Sequence, residues 1–303
     1  MKYTAITLLI LLVFAAGCID GINFGADVIK VNKDEKKEVT NVIEIKDKIL
    51  IPDSPLPPNA QATLSFLLEN KDKLVEARNV RVSVFDPSVF TVAGPDECGY
   101  GCTILPGENK PVSFGVRAPS HDKIAGLITD LYLNYMVEYD FTSRTNYDTV
   151  IVTVDEIKMR QRAGEANNIK GQDIFGPGPI KIYVETDMPY VVSGMDYEPR
   201  FTFTLKNEGS GAPKDSTVKG MTVVFPSELV NPRPASDDYF SCSGNVCKSK
   251  KAITLYKGKS LPILFTAGVG KIGGPYKSAM IQATASYTYE LRDSIPIKVK
   301  PLS

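Results

Sequence analysis

Residues 63–70 read TLSFLLEN and residues 200–207 read RFTFTLKN, which places Phe66 over Phe203 and Asn70 over Asn207. The likeness extends in both directions. Residues 80–90 (VRVSVFDPSVF) match residues 220–230 (GMTVVFPSELV), with Pro87-Ser88 over Pro226-Ser227. A close pair of cysteines follows in each half. Residues 105–118 then match residues 256–269, with Gly107 over Gly258 and Phe114 over Phe265. Last, residues 132–141 and 149–154 answer residues 281–291 and 294–299. So many features in one order mark a tandem duplication of a unit near the usual domain size.

Within each copy the period is two. Val80, Val82 and Val84 alternate with Arg81 and Ser83, while Phe201, Phe203 and Leu205 alternate with Thr202 and Thr204. β-Branched and aromatic residues at that period, punctuated by Pro, Gly and Asn, predict half-buried strands. About seven short strands per copy fit an all-β fold of two tandem immunoglobulin-like antiparallel β-sandwiches. The expected modules are residues 41–155 and 180–303, with residues 156–179 as a linker whose polar start forms one or two helical turns.

Composition narrows the function. The 303 residues carry 35 Lys+Arg against 35 Asp+Glu, one His and no Trp. A zero formal balance gives no electrostatic footprint for nucleic acid, so no nucleic-acid partner is expected.

Residues 1–17 hold Lys2, then an uncharged apolar run that ends in small residues, the pattern of a signal peptide. The run is shorter than the roughly 20 residues a bilayer-spanning helix needs. Ala15-Ala16-Gly17-Cys18 resembles the lipobox of prokaryotic lipoproteins, which implies lipid attachment at Cys18 and a membrane partner through that anchor. An ordinary secretory signal and an uncleaved anchor are the alternatives. All three place the later residues outside the cytoplasm, with residues 18–40 as a polar tether.

The other four cysteines form two local pairs, Cys98 with Cys102 and Cys242 with Cys247. In an oxidising compartment such pairs read as disulfides closing small loops. The rival is a four-cysteine zinc site, which would bring together pairs more than a hundred residues apart at atypical spacing. Disulfides are expected, and no metal.

The spacing of Pro55, Pro58, Phe66, Leu68 and Asn70, followed by NVRVSVFDP at residues 79–87 and LPGE at residues 105–108, resembles CARDB-type adhesion-related β-sandwich modules of prokaryotic, including archaeal, cell surfaces. The resemblance covers residues 41–155 and again 178–300. It implies spacing, presentation or binding rather than catalysis.

Reactive groups are sparse. His121 lies in a turn-like stretch, no G-x-S-x-G nucleophile elbow occurs, and phosphate loops and zinc-protease motifs are absent from the sequence. Asp86 and the Asp237-Asp238 pair offer oxygen ligands of the kind calcium takes, but two adjacent carboxylates read as a solvated turn. Among the tyrosines of the late strands, Tyr135, Tyr139, Tyr287 and Tyr289 share parity with apolar neighbours and are expected in the core, whereas Tyr132 faces the other way. The expectation is a membrane-anchored extracytoplasmic protein, not an enzyme and without a cofactor, that binds, adheres to or scaffolds a protein of the cell envelope. A structural subunit of a filament or coat is the alternative, and a secreted hydrolase or glycan-binding accessory protein ranks behind it.

Overall fold

Alternating apolar residues become strands because one face of each must leave water while the backbone keeps its hydrogen bonds in a ladder. The computed structural model describes residues 41–124, 129–164 and 170–300. The expected signal peptide 1–17, Cys18 and the tether 18–40 lie outside the described residues. No helix among the described residues is long and apolar enough to cross a membrane.

The first half comprises β1 (Ile43–Ile51), β2 (Gln61–Asn70), β3 (Ala77–Asp86), β4 (Thr91–Ala93), β5 (Cys102–Ile104), β6 (Asn109–Arg117) and the 25-residue β7 (Thr129–Thr153). Helix α1 (Val154–Ala163) and β8 (Gln172–Phe175) follow. The second half begins with β9 (Ile180–Thr186), β10 (Val191–Ser193), β11 (Arg200–Asn207), β12 (Ala212–Pro213), β13 (Thr217–Val218), β14 (Gly220–Val224) and β15 (Leu229–Pro234). It continues through β16 (Phe240–Ser243), β17 (Val246–Ser249), β18 (Ile253–Tyr256), β19 (Lys259–Ser260) and β20 (Ile263–Val269) to the 24-residue β21 (Tyr276–Val299). The chain is all-β with antiparallel sheets stacked as sandwiches.

The duplication is visible in the topology. A four-stranded sheet runs β1-β2-β6-β4, and the second half repeats it as β9-β11-β20-β15 within a seven-stranded sheet. The third sheet has ten strands along the path β16-β17-β14-β21-β7-β3-β5, with β8, β10 and β12 attached. Here β5-β3-β7 and β17-β14-β21 are corresponding trios. Repeated residues do the same work twice. Phe66 packs on Phe114 at 6.1 Å and Phe203 on Phe265 at 5.5 Å, centroid to centroid.

Both asparagines end their strands in the same way. Asn70 Nδ2 donates to the Val75 and Ile104 carbonyls at 3.0 Å while its Oδ1 accepts from the Asp72 amide at 3.0 Å. Asn207 Nδ2 donates to the Gly211 carbonyl at 2.7 Å and its Oδ1 accepts from the Gly209 amide at 3.2 Å.

The halves join through β7 and β21, which pair antiparallel without a break from Tyr276 opposite Val152 to Val299 opposite Thr129. At about 3.4 Å per residue the ladder is about 80 Å long. Each long strand serves both halves. Residues 134–140 of β7 pair with β3, beneath the four-stranded sheet, where Tyr135 stacks on Phe66 at 4.9 Å. Residues 145–153 of the same strand pair with β8 and β10, and Tyr147 OH lies 3.3 Å from Thr186 Oγ1 on β9.

β21 crosses in the opposite sense. Residues 282–286 pair with β14, whereas its far end meets the first half: Lys48 pairs with Asp293 at 2.5 Å, and Leu56 bridges to Val299. Tyr139 and Tyr289, equivalent when the repeat is aligned at Phe141 and Leu291, are direct partners in this ladder, with centroids 5.7 Å apart.

Residues 156–179, expected as a linker, contain most of α1 and all of β8, and β8 is hydrogen bonded to β7. The helix spans ten residues; Thr153 Oγ1 accepts from the Glu156 amide, and Gly164 ends it in the left-handed conformation at φ 75°. All described residues fall in one compact unit, Val39–Ser303.

Close approach to the crossing strands demands glycine. Gly178 has φ +108°, and a Cβ there would overlap Ser143 Oγ and come within 2.9 Å of Tyr287 OH. Gly178→Ala is expected to lower stability by about 2 kcal/mol or more, from overpacking together with backbone strain, in chemical denaturation. Asn70→Ala, which leaves the buried Ile104 carbonyl and Asp72 amide and the part-buried Val75 carbonyl without their partner, is expected to cost about 3 kcal/mol in the same experiment.

Candidate functional site

Directly opposed residues share a face, so parity along β7 and β21 sorts their side chains. Tyr135, Tyr139, Tyr287 and Tyr289 are buried, as their spacing predicts, and Tyr132 on the other face is 54% exposed. Each buried hydroxyl has its own surroundings. Tyr287 OH and Ser143 Oγ are 2.6 Å apart, and Tyr289 OH donates to Asn207 Oδ1 at 2.9 Å. Burial pushes the Tyr289 phenol up to about 12, against the pull of its Asn207 bond, and raises Tyr139 and Tyr287 as well. These groups stay protonated and build the core.

The opposite face of the long ladder is polar and open to solvent. Asp140 is its hub. Thr288 Oγ1 donates to Asp140 at 2.5 Å, Asn79 Nδ2 at 2.7 Å and Lys219 Nζ at 3.1 Å. Partial burial raises this carboxyl, but those three donors outweigh it and hold the group below the ordinary range. Alongside, Lys214 pairs with Glu138 at 2.6 Å, and the Thr142 and Ser286 hydroxyls are 2.9 Å apart. An open cleft of about 510 Å³ lies over this cluster, lined in part by Glu76, Arg78, Asn79, Asp140 and Lys219. A carboxylate held by three donors is a fixed acceptor that organises its neighbours, and it is poorly suited to exchanging protons near neutrality.

Both sheet edges carry a disulfide. Cys98–Cys102 leads into β5, and Cys242–Cys247 joins β16 to β17, with Cα atoms 4.9 and 4.0 Å apart. The first staple presents Tyr100 fully to solvent beside a groove of about 560 Å³ lined by Val82, Val84, Pro87, Val92 and Pro95. Edge strands of three and four residues closed by a covalent turn offer little backbone for further pairing.

The remaining sequence candidates are scattered. His121 sits exposed in a 3₁₀ turn, and Asp237 and Asp238 are exposed in a loop. Asp86 caps its own turn, accepting from the Ser88 amide at 2.9 Å and from Asn134 at 3.2 Å. No three His, Cys, Asp or Glu residues among the described residues are grouped to hold a metal ion.

Sequence reasoning missed the Asp140 cluster, whose members come from four separate strands and loops, and also Asp173. This residue of β8 accepts from the Val184 amide at 3.2 Å. Burial pushes its carboxyl up to about 6, opposed by the Val184 bond and reinforced by the charge of Glu185.

No family model matches this chain, and no curated protein matches it.

Two outcomes are expected. A folded-state value above the unfolded 3.8 means that the folded chain binds the Asp173 proton more tightly, so stability falls as pH rises from about 4 to about 6. Asp173→Asn should flatten that stretch of the stability-against-pH curve and stabilise the chain at neutral pH by about 1 kcal/mol, allowing for the solvent-exposed share of the group. Replacing Cys98 and Cys102 by Ser should cost only about 2 kcal/mol by denaturant titration, because the closed loop is short, and leave the β-sheet circular dichroism intact.

Proposed function

We propose that the chain is an exported, membrane-anchored, non-enzymatic binding or scaffolding protein of the cell envelope, held by lipid on Cys18 and built from two fused immunoglobulin-like, CARDB-like sandwiches. The observation that carries this reading is the β7–β21 ladder. It makes one body of two sandwiches and turns a largely polar face toward solvent from Asp130 to Asp148 of β7. Such a body suits presentation of a surface at a fixed distance from a membrane.

Two further features support it. Disulfides at both edges of the ten-stranded sheet fit an oxidising compartment outside the cytoplasm. The short stapled edges of the ten-stranded sheet favour a discrete binding module over a filament or coat subunit that grows through this sheet, since edge-to-edge growth needs exposed strand backbone.

The test is the mass of the mature amino terminus after expression in a prokaryotic host with a lipoprotein-processing pathway. A chain that begins at Cys18, carries a diacylglycerol-sized addition and sediments with membranes is expected. An intact Met1 with free thiols in the soluble cell fraction would refute the reading. Cys18→Ser should release the chain from the membrane pellet, because two acyl chains supply the anchoring energy at about 0.8 kcal/mol per buried methylene.

A further inference from the structure

The solvent face of the ten-stranded sheet carries a row of side chains whose order follows from strand register. Ser241 on β16 opposes Lys248 on β17, Lys248 opposes Thr222 on β14, Thr222 opposes Thr284 on β21, and Thr284 opposes Arg144 on β7. Directly opposed residues point to the same side, so these five form one line across the strands. Lys248 and Arg144 stand three strand spacings apart, about 14 Å. Both are exposed, and neither has an ion pair among the described residues.

The neighbouring rows are neutral. On one side lie Gly220, Ser286 and Thr142, and on the other Val224, Gln282 and Asn146. From Tyr239 to Tyr289 the chain has seven lysines and not one Asp or Glu. Of these lysines Lys248 alone stands on the row, so the row's positive charge is that of Lys248 and Arg144, with no acidic residue in the row or in the residues named beside it.

We propose that this row is a docking surface for a linear acidic polysaccharide, with Lys248 and Arg144 meeting its carboxylates and the hydroxyls of Thr222, Thr284, Ser286 and Thr142 exchanging hydrogen bonds with its sugars. Charge complementarity selects an anionic partner. An open strip with donors and acceptors on neighbouring strands selects an extended polymer over a compact ligand. Nucleic acid fits poorly, because these rows carry no aromatic side chain on which a base could stack. A lipid bilayer fits poorly as well, since the exposed apolar residues of the neighbouring row, Val224 and Ile174, stand three strands apart and form no continuous patch to insert below the headgroups. The proposal rests on the reading of the chain as an exported binding protein and names the class of its target.

The experiment is a binding titration of the purified full-length chain with fluorescently labelled polygalacturonate, with neutral dextran and phosphatidylglycerol vesicles as comparison probes. Binding to polygalacturonate that weakens as salt rises, with dextran inert, is expected. Arg144→Glu with Lys248→Glu should weaken binding at least 10-fold, whereas Lys257→Glu with Lys271→Glu, the same change in net charge elsewhere, should leave it within 2-fold. Unchanged circular dichroism and melting temperature serve as the folding control for both variants. Absence of binding, equal loss in both double variants, or equal affinity for the vesicles would overturn the proposal. The titration uses purified chain, so its failure is separate from failure of the amino-terminal mass measurement.

Discussion

Two strands in continuous antiparallel register hold this molecule together. In a sheet the side-chain period is two, so a slip of one residue between β7 and β21 would turn every buried tyrosine to solvent and every surface charge into the core. Over so long a ladder that penalty recurs at each pair, and only one alignment survives. Asp140 opposite Thr288 lies at its centre. Around that point each half lends part of its last strand to the other: β7 reaches β8 and β10, and β21 reaches Leu56 and Lys48.

An internal duplication thus has the form of an isologous pair within one chain. The last strands of the two halves pair antiparallel with each other, the way one edge strand pairs with its own copy in a homodimer. Repeated residues keep repeated tasks, as Asn70 and Asn207 do at their strand ends and Phe114 and Phe265 do in their cores. The copies diverge where they face solvent. The second-half disulfide sits in a hairpin beside an acid-free stretch, while the first holds Tyr100 out into water.

Much of this was legible in the sequence, and the gaps have physical causes. Alternation identified the strands, the burial of Tyr135, Tyr139, Tyr287 and Tyr289, and the exposure of Tyr132. Short spacing identified the cysteine pairs. Alternation fails at residues 142–148, where the inward positions Ser143 and Thr145 are as polar as the outward Thr142 and Arg144. Those inward hydroxyls are satisfied by Tyr287 OH and by the Ile182 amide, partners more than thirty residues away. Periodicity therefore breaks β7 in two, although the strand is continuous, and with the break the exchange between halves disappears from view. The Asp140 cluster and the Lys248 to Arg144 row are hidden for the same reason, since each depends on register between distant strands.

The interdependence of the halves is most directly tested by expressing residues 41–155 and residues 180–303 as separate polypeptides and following their unfolding by circular dichroism and amide spectra. Each piece then lacks the strand segment its partner supplies. The account predicts that neither piece alone gives a cooperative transition or dispersed amide signals, and that mixing the two restores both. A sharp, independent transition from either piece by itself would contradict it.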